Sequence, residues 1–335
     1  MKKNQKILST MTGASMLVTS IAAPASVIAE EVVQQNEQAQ FTAVANIEGR
    51  FAFDQDTVTP PDEVFNIFGT VLTAACAKPT FAMENEGAST FINVGGKIRE
   101  SYSVSLKDLQ YKQQNTTMLC ACATGAAAAN VQLRGVLVED ILEMAEIDED
   151  ANALVVRGSD GYSMTLPLNH ALEKRAIIAY KLGDMDLPSG TQMFIPETVA
   201  RYFTRSVVDL ELTHVDNLPE LEQRDDALRA EVAFVNKVED AKFTLGEEII
   251  FEGYADDLSD PITAVEFSMD NGETWTSYPT FGATADRWVY WQFAFTPKAE
   301  GDYKLMVQAR TASGAASPLA AAVEFGVAPA GVLPL

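Results

Sequence analysis

Thr116-Thr117-Met118-Leu119-Cys120-Ala121-Cys122-Ala123-Thr124-Gly125 passes from an apolar run into a loop of small residues, with two cysteines at the junction. Residues 116–120 read as a buried strand, because a short continuous apolar run suits a strand covered on both faces. A thiol at its end is a soft ligand offered from a rigid element. The chain has only three cysteines and two histidines, so any metal or redox cofactor must rely on very few atoms. Cys120 and Cys122 make a poor disulfide, since on a strand they project from one face with no turn between them. Cys76 is left over, either a plain buried residue or the partner of one of the two. A lone Cys-x-Cys without a second pair is weak evidence for zinc.

The surrounding chain has 335 residues, 47% of them hydrophobic, with 47 acidic against 24 basic residues. That length predicts two domains. The net charge of −23 argues against a nucleic-acid partner, which needs clustered Lys and Arg. Lys2, Lys3 and Lys6 precede an apolar stretch broken by Pro24, and Val27-Ile28-Ala29 supplies small residues before Glu30. We read residues 1–29 as a general-secretion signal peptide, with no Arg-Arg pair and no lipoprotein cysteine. Residues 30–48, rich in Gln, Glu and Ala, read as a flexible leader.

Residues 91–98 read as two short strands around a Gly-Gly turn, and 102–106, 153–157, 161–168, 176–180, 191–195 and 206–213 read as strands. Helical spacing of Val138, Ile141, Leu142 and Ala145 predicts a helix over 138–147, and residues 171–176 a helical turn. Strands and short helices interleave without a βαβ beat, which predicts a mixed α+β domain over 49–214. Residues 215–240 read as a charged linker. Strands at 249–252, 262–269, 288–295 and 303–311, with turns such as Asp270-Asn271-Gly272, predict a β-sandwich over 241–326. Residues 327–335 read as a frayed tail. The usual dinucleotide, P-loop, zinc-protease and nucleophile-elbow motifs are absent, and His170 and His214 lack companion ligands.

Taken together, these segments resemble the sulfite oxidase family of molybdopterin-dependent oxidoreductases. Asn93-Val94-Gly95-Gly96-Lys97-Ile98 and Ser105-Leu106-Lys107-Asp108-Leu109 are similar to the entry of its molybdenum domain. Thr117-Met118-Leu119-Cys120 resembles the strand ending in its metal-binding cysteine. Arg134-Gly135-Val136-Leu137-Val138, Asp160-Gly161-Tyr162 and Arg201-Tyr202-Phe203-Thr204-Arg205 continue the likeness. Val265-Glu266-Phe267-Ser268-Met269-Asp270-Asn271-Gly272-Glu273-Thr274-Trp275 is similar to the family's immunoglobulin-like dimerisation domain. The resemblance implies oxygen-atom transfer on a small substrate, with molybdopterin as cofactor. It implies Cys120 as the molybdenum ligand, with Cys122 the alternate, because a soft thiolate suits such a centre. It places Tyr162 at the reacting oxo group and Arg201, more weakly Arg205, on the pterin phosphate. Thr124 is a further cofactor contact. A separate electron carrier such as a cytochrome and a homodimer are also implied.

The chain departs from the family at two places. Cys122-Ala123 stands where members carry Gly-Asn, and Gln192 stands where sulfite oxidases supply an arginine. Members that leave the cell use twin-arginine signals, unlike Lys2-Lys3. These departures motivate the alternative expectation, a secreted or surface interaction protein that kept the fold without the cofactor.

Overall fold

Residues 41–330 are described by the structure, a computed structural model, except 65–66, 68–90, 124–127 and 237. The signal peptide, leader residues 30–40, Cys76, Thr124 and tail residues 331–335 lie outside the described residues. In chain order the strands are β1 (Arg50–Asp54), β2 (Phe91–Gly96), β3 (Tyr102–Ser105), β4 (Gln114–Ala121), β5 (Ala128–Leu137), β6 (Ala153–Gly158), β7 (Ser163–Pro167), β8 (Ile177–Leu182), β9 (Met185–Asp186), β10 (Gln192–Phe194) and β11 (Val207–Thr213). They continue as β12 (Glu231–Phe234), β13 (Ala241–Thr244), β14 (Ile249–Asp256), β15 (Ile262–Ser268), β16 (Thr276–Pro279), β17 (Val289–Phe295), β18 (Gly301–Thr311) and β19 (Ala321–Ala328).

One sheet has the order β3-β2-β11-β6-β7 and a second the order β10-β8-β5-β4, with β9 on β8. The first buries one face only, as the alternation of β2 shows: Ile92 and Val94 point inward, Phe91 and Asn93 outward. The second is covered on both faces. Leu119, Ala121, Val136 and Ile178 meet Val94, Val156 and Leu210 of the first sheet, while Met118, Cys120, Val131 and Ala179 enter a separate core with Phe194 and Phe203. That double burial is why β4 ends in an unbroken apolar run.

The expected helix over 138–147 is confined to Val138–Ile141. It has no side-chain cap at its start, and Ile147 turns away to bridge Ile98. Tertiary pairing thus overrides a short periodic signal. A second α-helix lies at Leu168–Glu173 and residues 61–64 are helical, so the architecture is mostly β, a correction to the mixed α+β expectation.

Sheets β1-β17-β14-β12 and β13-β19-β18-β15-β16 enclose an aromatic core. Phe267 stacks on Phe293 with centroids 4.2 Å apart, and Tyr303 stacks on Phe325 at 5.4 Å. Asn271 and Gly272 both take positive φ in the expected turn after β15, which Asn-Gly tolerates best.

Four expectations about the domain edges are corrected here. Ile47, expected in the leader, is 1% exposed inside the sandwich core. β1, expected with the first domain, pairs with β17, because Phe51 stacks on Tyr278 at 5.2 Å. β12, within the expected linker, pairs with β14 and sets Phe234 edge-on to Trp291 at 5.4 Å. At the tail, β19 runs on to Ala328 with Val327 buried. In each case the apolar alternation was too short to register against charged neighbours.

Gly253 on β14 shows how tight this packing is. A Cβ there would sit 2.1 Å from the Ala233 carbonyl oxygen and 2.2 Å from the Trp291 ring. Gly253→Ala is expected to cost about 2–3 kcal/mol, as overpacking does. Urea denaturation checks this, and an unchanged midpoint would contradict the packing.

Candidate functional site

Cys120 lies one residue from the end of β4, opposite Ala129 of β5. Strand alternation turns it, with Met118, away from the inter-sheet core and toward Ala129, Val131 and Phe203. It is 3% exposed, and burial pushes its thiol far above the ordinary range. In the protein alone it is therefore a neutral thiol at pH 7. Cys122 is also buried, and both are free thiols.

Residues 199–205 tie the two edges of the second sheet together at this end. Val199 bridges Ala121, next to Cys120, and Arg205 bridges Gln192 on β10. Between them a 3-10 turn, Ala200–Tyr202, sends Phe203 onto Phe194 with centroids 5.0 Å apart. Gln192 and Phe194 alternate on one strand, so Gln192 faces the same side of the sheet as Cys120. It is 4% exposed and donates through Nε2 to the Phe203 carbonyl at 3.2 Å. Its Oε1 and the Oγ1 of buried Thr204 have no hydrogen-bond partner among the described residues. Buried acceptors left in this state are costly.

Tyr162 and Arg201, predicted as site residues, are brought together: Tyr162 Oη donates to the Arg201 carbonyl oxygen at 2.7 Å. The Arg201 guanidinium donates to the Glu222 carboxylate, and that hydrogen bond raises its pKa above the usual arginine range. The neighbouring Tyr202 Oη accepts the Glu222 N–H at 2.8 Å, and the Asp225 N–H donates to the Ala123 carbonyl at 2.8 Å. Residues 221–225 therefore strap the loop after Cys122 and the Arg201 turn together. Arg205 packs its backbone against Gly158, where a Cβ would fall 2.3 Å from the Arg205 carbonyl oxygen. No hydrogen bond joins Cys120 to Tyr162 or Arg201 among the described residues, and Thr124 lies outside them.

Sequence reasoning missed Glu222 and Thr204. Thr204 sat inside a segment already quoted, but nothing in its type marked it as buried. Glu222 acts on a residue 21 positions away from within a charge-rich stretch, where no pattern singles it out. Among the described residues no group of three or more His, Cys, Asp or Glu side chains is arranged to hold a metal ion.

Residues 82–217 match the family model described as oxidoreductase molybdopterin binding domain. Among solved structures, the sulfane dehydrogenase SoxCD from Paracoccus pantotrophus is similar over 70% of this chain and 70% of its own, with a TM-score of 0.55 and 16% identity. At that identity the likeness is one of fold. Fibronectin(III)-like modules of CbhA from Clostridium thermocellum match over 30% of this chain and 99% of theirs, with a TM-score of 0.24 and 22% identity. No curated protein matches the sequence.

Proposed function

From a chain whose residues 82–217 belong to the oxidoreductase molybdopterin binding domain family, we propose an exported enzyme that transfers an oxygen atom, with two electrons, to or from a small substrate. Molybdenum-dependent redox chemistry and a molybdopterin cofactor are properties of that domain family. Export, the substrate and the residue roles are our reading. Export rests on the Lys2-Lys3 and Val27-Ile28-Ala29 pattern.

Two observations support the fit of the cofactor to this chain. Cys120 is a buried soft donor at a strand end, and a metal there would displace its proton and be held by the thiolate. Gln192 Oε1, on the same side of the sheet as Cys120, is a buried acceptor without a hydrogen-bond partner among the described residues, suited to the N–H edge of a pterin. When bound, the group supplies a centre that takes up two electrons and exchanges an oxygen atom. The chain's own residues hold and orient. Cys120 ligates, with Cys122 the alternate. Arg201 anchors the pterin phosphate once Glu222 yields it, with Arg205 and Thr124 as further contacts. Tyr162, fixed by its bond to the Arg201 carbonyl, presents its phenol to substrate.

The observation that carries the substrate reading is Gln192. A small dianion needs fixed positive charge at the reacting centre, and here a buried neutral amide stands instead. The substrate is accordingly uncharged or singly charged. Electrons leave through a separate carrier, and the sandwich serves as an immunoglobulin-like dimerisation domain.

The alternative, an interaction protein without cofactor, draws on the aliphatic setting of Cys120 and the Arg201–Glu222 pair. Molybdenum and pterin analysis of protein purified from its native host separates the two readings. About one molybdenum per chain is expected, and a folded sample with neither metal nor pterin would leave only the interaction protein.

A further inference from the structure

A cavity of about 370 Å³ lies where residues 57–63 and β5 meet the sandwich. Its walls include Thr59, Glu63, Ala128, Tyr254, Trp288 and Tyr290. Cys120, Tyr162, Gln192, Arg201 and Arg205, assigned above to the site, do not line it. Tyr254 and Trp288 are stacked, with centroids 4.6 Å apart and planes 18° from parallel.

The walls are held by directed bonds rather than by packing alone. Trp288 Nε1 donates to the Thr57 carbonyl at 3.0 Å, and its backbone N–H donates to Asn130 Oδ1 at 3.0 Å. The Asn130 side chain in turn donates to the Gln55 and Thr57 carbonyls. The Thr59 N–H donates to the Asn130 carbonyl at 2.8 Å. A ligand entering here has little ordering cost to overcome. Thr59 is 8% exposed, and its hydroxyl has no hydrogen-bond partner among the described residues.

Among the described residues the cavity lining includes the Glu63 carboxylate and no Lys, Arg or His. Burial and the carboxylates of Glu252 and Asp54 raise the Tyr290 phenol. Burial, Asp256 and Glu231 raise that of Tyr254, and Arg224 offsets this in part. Aromatic rings in a negative field attract a cation whose hydration shell is weak enough to shed.

We propose that this cavity is a binding site for a small organic cation of the alkylammonium class, held by the aromatic walls and by Glu63. The site is independent of the molybdopterin reading, and its test requires no loaded cofactor. Choline and its neutral isostere 3,3-dimethylbutan-1-ol are titrated into the full chain at constant ionic strength, followed by tryptophan fluorescence and calorimetry. Choline is expected to saturate, with the isostere at least about tenfold weaker, as a cation–π contribution of this kind requires. Glu63→Gln should weaken choline several-fold and leave the isostere unchanged, and Tyr290→Leu should weaken choline more than the isostere. The comparison of two probes on unaltered protein stands even where a variant fails to fold. Equal binding of the two probes would make this an apolar cavity with no preference for charge. Absence of saturable choline binding in the millimolar range would also overturn the assignment.

Discussion

Arg224→Met is expected to lower the stability of the protein by about 3–5 kcal/mol, because it leaves two buried carboxyl groups without their cation. The Arg224 guanidinium, 4% exposed, pairs with both Glu231 and Asp256, whose side chains are 13% and 0% exposed. Burial pushes the Asp256 carboxyl up to about 6 and the Glu231 carboxyl up to about 7, the latter helped by its neighbour's charge. Both groups thus bind protons more tightly in the folded chain than in the unfolded one. Their contribution is fully present below the unfolded values near 4 and is lost as the pH rises through about 6 to 7. The part of the stability carried by these two groups should therefore fall between about pH 4 and pH 7 and level off above. Half-buried His170 opposes this fall, since burial lowers its pKa and so favours the folded chain as the pH rises. In Arg224→Met that decline should be steeper and extend to higher pH. Urea denaturation across this range checks both statements. A variant within about 1 kcal/mol of the parent, or a parent and variant with the same pH dependence, would contradict the charge network. Replacing all three groups with apolar residues of similar volume should restore most of the loss. Since Asp225 and Glu222 flank Arg224, the same variant should also free the strap over Arg201.

Cys120→Ser is expected to abolish molybdenum retention while the chain still folds. The hydroxyl is a harder, far less acidic donor than the thiol, and it cannot supply a thiolate to a soft centre. Its burial without a partner costs about 1–3 kcal/mol, less than the domain can lose. Cys122→Ser should keep the metal. Metal analysis of the two variants beside the parent, with circular dichroism as the folding control, makes the comparison. Full retention by Cys120→Ser with loss in Cys122→Ser would move the ligand to Cys122. The raised thiol predicts one more behaviour: metal-free protein should alkylate slowly at Cys120 at pH 7, and loading should release a proton.

Periodicity in the chain was enough to place most strands, since β2, β6, β8, β11, β15 and β18 lie close to the stretches read as strands. The apolar run before Cys120 was legible because burial on both faces leaves no polar position to interrupt it. The helix beyond Ile141 was misread, because four periodic residues cannot nucleate a helix against the Ile98–Ile147 bridge. The domain edges were misread because β1 and β12 are short strands from charge-rich surroundings that become strands only by pairing with β17 and β14.

At the site the division is similar. Residue type and local order singled out Cys120, while Tyr162, Arg201 and the neutral Gln192 stood out only through the family resemblance. The sequence by itself thus determined which donor atoms exist and which strands carry them. Only the tertiary structure decided their surroundings: that Cys120 is sealed among apolar side chains, that Glu222 occupies Arg201, that Gln192 and Thr204 bury oxygens with no partner among the described residues, and that Trp288 and Tyr254 wall a cavity beside β5. Burial and pairing depend on residues far apart in the chain, and local pattern carries no record of them.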